Sequence, residues 1–218
     1  MKLYRLRYSS YARKTQMLLE LLGLKHEVVE VDYGDRSELA ALTGGYIYVP
    51  VLQEDDGTVT VDSRRIAEKL LVGDAARRLI PSPLEGPIWA YADFCDNVLE
   101  DVLFRIASPA VREAWQTPWE RALYNLTKER KFGAGCIDAW LKDQAGLLDR
   151  ARHLLRPTLQ TLEQQPFVFG AQPTLADAAL YGNLVMLGEA DPTLVRSLSP
   201  GLVAYQQRVE AARPPVAR

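Results

Sequence analysis

A chain of 218 residues with 48% hydrophobic and 25% charged residues can bury a sizeable core, as one large domain or two small ones, and this excludes a disordered or low-complexity protein. Its formal net charge of −2 is spread over mixed signs, with only a short basic tail around Arg213 and Arg218, so the electrostatic footprint of a nucleic-acid or membrane-surface binder is missing. The two cysteines, Cys95 and Cys136, share neither CxxC nor zinc-type spacing, which argues against a metal site, a redox dithiol and a disulfide framework.

The N-terminal third alternates strand and helix signals. Lys2 to Arg7 reads as a strand and Arg13 to Leu22 as a helix ended by Gly23, and His26 to Asp32 is a β-branched strand broken by Tyr33-Gly34-Asp35. Ser37 to Leu42 is a short helix, and Tyr46 to Leu52 returns to strand. Asp55-Asp56-Gly57 joins Val49–Gln53 to Thr58–Val61 with the chemistry of a two-residue hairpin turn. Ser63 to Leu71 then reads as a helix, with Asp62 or Ser63 at its start and Gly73 at its end, giving the order β-α-β-α-β-β-α.

Beyond a Pro-rich linker, Pro81 to Pro87, strand signals vanish. Helices are expected over Trp89–Ile106, Thr117–Arg130, Ile137–Glu163, Leu175–Leu187 and Pro200–Ala212, with Pro157 bending the third or dividing it. The two domains therefore fall at 1–80 and 87–218. No apolar run reaches the length of a membrane span and no signal-peptide core precedes the first strand, so a cytoplasmic protein with no membrane or nucleic-acid partner is expected.

The stretch Tyr8-Ser9-Ser10-Tyr11-Ala12-Arg13-Lys14 is the most informative. It lies between a strand and a helix, where unpaired backbone N–H groups and the positive end of the macrodipole stabilise an anion. A serine there is also an ordinary helix cap. Thr174 and Asp177 match a capping box, a structural feature whose loss through Asp177→Ala should cost roughly 1 kcal/mol or more.

Four segments carry a family resemblance: Ser9-Ser10-Tyr11-Ala12-Arg13-Lys14, Val49-Pro50-Val51-Leu52, Asp62-Ser63-Arg64, and Pro173-Thr174-Leu175-Ala176-Asp177. Together they resemble a cytosolic glutathione S-transferase of the serine, bacterial-like type. The resemblance implies an α/β plus all-α fold, in which a thioredoxin-like N-terminal domain is followed by an all-helical C-terminal domain. It also implies reduced glutathione as co-substrate, an apolar electrophile as second substrate, a homodimer, and a detoxifying role without a metal. Ser9 stands where the family's catalytic Ser or Cys is found, with Tyr8 as its rival, because some classes use a tyrosine at the end of the first strand; Ser10 ranks third. The resemblance further implies main-chain pairing at Val49 before a cis Pro50, and capture of the γ-glutamyl end by Asp62 and Ser63. Ser10 and Arg13 are further candidates for holding the tripeptide.

A hydroxyl donated to sulfur at a helix N-terminus favours the thiolate, the nucleophilic form. Serine cannot form the mixed disulfide that glutaredoxin-like relatives need, so conjugation, isomerisation or peroxide reduction is expected before thiol transfer. A zeta-like glutathione-dependent isomerase and a non-catalytic ligand carrier or interaction module are the competing readings. Tyr8, Tyr11, Tyr91, Phe94 and Arg105 are candidates for the second-substrate cleft. The glycines of Phe132-Gly133-Ala134-Gly135-Cys136 would permit a tight approach near it, and Cys136 reads as a free packing thiol.

Overall fold

The structure is a computed structural model that describes residues 1–73 and 77–215; Arg218, half of the basic tail, lies outside the described residues. The N-terminal part holds a four-stranded sheet in the order β2-β1-β3-β4. Strand β1 (Lys2–Arg5) runs parallel to β2 (Glu27–Glu30) and antiparallel to β3 (Val51–Gln53), which pairs antiparallel with β4 (Val59–Val61). Helices α1 (Ser10–Leu21), α2 (Ser37–Thr43) and α3 (Ser63–Leu70) are interleaved with these strands. Leu3 and Leu52 of the sheet, Leu19 of α1 and Ile66 of α3 form a small apolar cluster. The strand–helix order expected from the sequence is the one observed, with the mixed sheet of a thioredoxin-like domain.

Two boundaries differ. The segment Tyr46–Pro50 is not part of the ladder, and pairing begins only at Val51, after a cis Val49–Pro50 bond; a proline brings no N–H to a ladder. The β3–β4 turn has three residues, not two. Glu54 N–H donates to Thr58 O at 2.9 Å, and Gly57 takes the left-handed conformation at φ 88°, as three-residue hairpin loops with a terminal αL glycine do.

After a 3₁₀ turn at Ser82–Leu84 the chain is helical. Helix α4 (Glu85–Phe94) passes through a π-helical segment, Cys95–Leu99, into α5 (Glu100–Ala114). This continuous helix extends beyond the expected Trp89–Ile106 at both ends. Pro87 lies in its first turn, where N–H groups have no intrahelical acceptor in any case, so the proline-rich segment does not delay it. Then follow α6 (Pro118–Phe132), α7 (Cys136–Lys142), α8 (Gln144–Leu162), α9 (Leu175–Ala190), α10 (Pro192–Leu198) and α11 (Pro200–Ala211). The expected helix Ile137–Glu163 is divided at Asp143, while α8 runs through Pro157. Helix α10, started by Pro192 and capped by Asp191, was not expected. Glycines 133 and 135 terminate α6 and begin α7 at positive φ, with nothing within 4 Å of where a Cβ would stand, so they serve the turn rather than a close approach.

Helix α9 is the axis of the larger core. Its entire first three turns are buried, between α1 on one side and α4, α5 and α11 on others. The close approach sits here: a Cβ on Gly182 would lie 2.5 Å from Ser10 O and 2.7 Å from Lys14 N, so α1 crosses α9 backbone to backbone. Asp177 is fully buried near the start of α9. Its carboxylate accepts from Thr174 N–H (2.8 Å), Thr174 Oγ1–H (3.0 Å), Val168 N–H (2.9 Å) and the Tyr205 hydroxyl (2.8 Å). The expected capping role holds, and the same carboxylate also ties α11 and the preceding loop to α9.

Candidate functional site

Ser9 is the N-cap of α1. Its extended backbone, φ −93° and ψ 111°, turns Oγ back to accept from Ala12 N–H at 3.2 Å, and the first turn contains no acidic residue. Among the described residues the Ser9 hydroxyl hydrogen has no acceptor, so it is free to be donated. Tyr8 stands beside it with its ring edge-on to Trp115, centroids 5.6 Å apart. Ser10 is buried and its hydroxyl faces Glu100 Oε1 at 3.5 Å, toward the helical domain. Arg13 is turned away from Ser9: it donates to Arg7 O at 3.0 Å and to Glu189 of α9 at 2.8 Å. Burial lowers its pKa, with the neighbouring Arg5 next in effect, and it lines no cavity described below.

Val49, Pro50, Asp62 and Ser63 meet across one open cavity with Tyr11 and Tyr46. Val49 precedes the ladder and makes no backbone hydrogen bond among the described residues, so both its N–H and its C=O are available to an extended ligand. Asp62 adopts φ 75° at the N-cap of α3, where one oxygen, Oδ1, accepts from the N–H groups of Arg64 (2.9 Å) and Arg65 (3.2 Å). Ser63 is only 5% exposed, yet its hydroxyl has no partner among the described residues. Among the described residues the Ser63 hydroxyl and N–H are thus the unpaired donors at the start of α3, where a carboxylate can be received. Arg64 also lines this cavity, with its guanidinium paired to Asp93 at 2.7 Å and stacked on Trp89 at 3.9 Å.

A second cavity is lined by Ser9 and shares Tyr11 with the first. Tyr8, Tyr33, Phe104, Trp115 and Tyr124 wall it, and Glu100 and Lys128 are its charged side chains. A third, more open groove continues past Val49 and Tyr48, and it shares with the aromatic cavity Leu6, Ser9, Tyr33 and Lys128. Ser9 and Lys128 therefore stand at the neck between the two. Burial pushes the Glu100 carboxyl up to about 7, and burial together with Lys131 brings the Lys128 ammonium down to about 8.

Of the cleft candidates taken from the sequence, Tyr8 and Tyr11 line the aromatic cavity, with Tyr11 held by donating its hydroxyl to Asp96 O at 2.8 Å. Tyr91, Phe94 and Arg105 do not. Tyr91 is hydrogen-bonded to Thr158 at 2.9 Å and packs against Phe94 and Phe169, while Arg105 pairs with Asp101 at 2.8 Å. The sequence reading missed Tyr33, Glu100, Phe104, Trp115, Tyr124 and Lys128. Glu100, Phe104, Ala107 and Val111 follow one another at four, three and four residues, a helical stripe visible only once α5 is extended to Ala114. Cys95 and Cys136 are buried free thiols that line none of these cavities.

Comparison with known proteins covers the same two parts. Residues 3–76 match the family model described as glutathione S-transferase, N-terminal domain, and residues 133–213 match the glutathione S-transferase C-terminal domain. A solved glutathione S-transferase from Pseudomonas fluorescens is 25% identical over 100% of this chain and 98% of its own, at a TM-score of 0.63. A glutathione S-transferase of Ceriporiopsis subvermispora solved with glutathione is 16% identical over 95% of this chain and 96% of its own, at a TM-score of 0.76, and shows likeness of fold. So does glutaredoxin 2 of Salmonella typhimurium with glutathione, 19% identical over 98% of both chains at a TM-score of 0.65. With both halves matched in chain order, the chain belongs to the glutathione S-transferase family, and that membership supports glutathione transfer as its function.

Proposed function

We propose that this protein binds reduced glutathione across the Val49–Ser63 cavity and directs its thiolate onto an apolar electrophile held in the aromatic cavity. The observation that carries the reading is the Ser9 hydroxyl, which accepts from the helix with its oxygen and keeps its hydrogen free, where the aromatic cavity meets the groove that continues past Val49. Ser63 and the N-terminus of α3 receive the γ-glutamyl carboxylate, the free oxygen of Asp62 takes the amino group, and the unpaired backbone of Val49 holds the cysteinyl amide. Pro50 turns Val49 toward the ligand. Ser9 donates to sulfur and, with the positive end of α1, favours the thiolate. Tyr8 is the second candidate for that donor. Ser10 and Arg13 have no part in holding the tripeptide, since they face Glu100 and Glu189.

Conjugation is favoured over thiol–disulfide chemistry because neither cysteine lies at the cleft. We place the glutathione-binding domain at 1–80 and the helical domain at 87–218, and take the protein to be a cytoplasmic homodimer; no described helix is long and apolar enough to cross a membrane.

The test is titration with reduced glutathione across pH, following binding heat and thiolate absorbance, for the wild type and Ser9→Ala. A hydrogen bond to an anion contributes about 1.5–3 kcal/mol, so the variant should bind glutathione within severalfold, raise the bound thiol's pKa by about 1–2 units, and lose roughly 10- to 100-fold in turnover. Unchanged turnover would move the role to Tyr8. Binding without thiolate formation in the wild type would make the protein a carrier.

A further inference from the structure

The groove that continues past Val49 carries more positive charge than glutathione can neutralise. Arg36, Lys128, Arg130 and Lys131 line it, and no carboxylate does. None of the four makes an ion pair among the described residues, although the chain as a whole has a formal net charge of −2. Arg36 donates only to Tyr33 O, at 3.3 Å, and the Lys128 ammonium rests over the rings of Tyr124 and Phe104, 4.6 and 5.3 Å from their centroids. Leu123, Thr127, Arg130 and Lys131 recur at helical spacing along α6, so one face of a helix presents the last two cations to the groove.

An extended tripeptide meets only part of this charge. Tyr48 and Val49 line both this groove and the cavity of Asp62 and Ser63. With its γ-glutamyl end at Ser63 and its cysteine at Val49, glutathione passes its glycyl carboxylate into the groove, one negative charge against four positive ones. A cleft lined by one sign of charge focuses its field and concentrates ligands of the other sign. The second reactant has access to the same place, because Ser9, Tyr33 and Lys128 line the groove and the aromatic cavity alike. A substrate whose ring fills the aromatic cavity therefore reaches the groove with a substituent that passes Ser9.

We propose that this groove is an anion subsite for the electrophile: the second substrate has an apolar ring and a carboxylate of its own, and Arg130 and Lys131 bind that carboxylate. The planar guanidinium of Arg130 can engage both oxygens, and Lys131 adds a point charge beside it. No bond to the carboxylate forms or breaks. The two residues set which electrophile is taken, and the attack of sulfur on its carbon is left to Ser9 and the start of α1.

This inference rests on the proposed glutathione site. The test compares kcat/KM for para-chloromethylbenzoate with that for its methyl ester, which offers the same reacting carbon without the charge, each divided by its uncatalysed rate with glutathione. The full-length wild type is set beside the double variants Arg130→Gln with Lys131→Gln and Arg130→Glu with Lys131→Glu. Both side chains are exposed, so neither change opens the core. The wild type should favour the carboxylate about tenfold, the glutamine pair should abolish that preference, and the glutamate pair should reverse it. Added salt should erode the wild-type preference. A wild-type ratio near one, or a ratio unchanged in both variants, overturns the inference. A tenfold loss of glutathione affinity in the glutamine pair with the ratio unchanged also overturns it, and assigns these cations to the glycyl carboxylate. Calorimetry with para-toluate, the unreactive analogue, reads the subsite without turnover: its affinity should fall about tenfold in the glutamine pair, and equal affinity counts against the subsite. A wild type that forms no thiolate yet binds para-toluate in this charge-dependent way overturns the glutathione site and leaves the anion subsite standing, so the two failures are distinguishable.

Discussion

Gly182→Ala puts a single methyl group where α1 crosses α9. Its carbon would lie 2.5 Å from Ser10 O and 2.7 Å from Lys14 N, both backbone atoms that no rotamer change can move. Ordinary contact begins near 3.4 Å, so α1 must withdraw by about 0.9 Å. Overpacking of this kind costs up to about 3 kcal/mol, partly offset by about 1 kcal/mol from replacing glycine with alanine in a helix, so a net loss of about 2 kcal/mol is expected. The displaced helix carries Ser9 at its start, and a misplacement on the order of 1 Å can reduce turnover by about 100-fold. Urea denaturation and steady-state kinetics read the two effects. Gly188→Ala in the same helix is the control, since its Cβ would meet only Val195 Cγ2 at 3.7 Å, and it should be neutral or slightly stabilising. A Gly182→Ala protein as stable and as active as the wild type would refute the backbone contact as the element that positions the site.

Asp177→Ala removes an acceptor from four donors inside the core and should cost roughly 3–5 kcal/mol, well above a simple cap; a loss under 1 kcal/mol in chemical denaturation would contradict the network. Ser63→Ala deletes the unpaired hydroxyl and should weaken glutathione roughly tenfold by calorimetry, and unaltered affinity would remove Ser63 from the site. Glu100 gives a pH signature. Its folded pKa, raised to about 7 by burial, exceeds the unfolded value of 4.5, so its stabilising contribution is complete below the unfolded value and fades as pH rises through about 7. The span amounts to at most about 3 kcal/mol. Relative to Glu100→Gln, the wild type should therefore lose stability as pH rises from about 4.5 to about 7 and level off above that, and parallel denaturation profiles would refute the shifted carboxyl.

Local pattern carried much of this protein. The β-α-β-α-β-β-α order, the helical second half, the Ser9 cap, the cis Val49–Pro50 bond and the Thr174–Asp177 cap were legible because each depends on residues adjacent in sequence or on a motif read by resemblance. The division at Asp143, helix α10 and the start of α4 were harder, since helix ends are decided by which backbone groups find partners after packing. The cleft needed the tertiary structure altogether. Tyr33 comes from the loop after β2, Phe104 and Glu100 from α5, Trp115 from the turn behind it, and Tyr124 and Lys128 from α6; no sequence spacing brings these together. The same holds for Arg13, which reads like a ligand contact until Glu189, 176 residues away, takes it. Sequence by itself determined the two domains' secondary-structure order and the chemistry at the first helix, because short-range geometry sets both. Only the tertiary structure decided the wall of the second-substrate cavity and the burial of Glu100 and Lys128, because dielectric environment and facing exist only once α1, α5 and α6 are packed around Ser9.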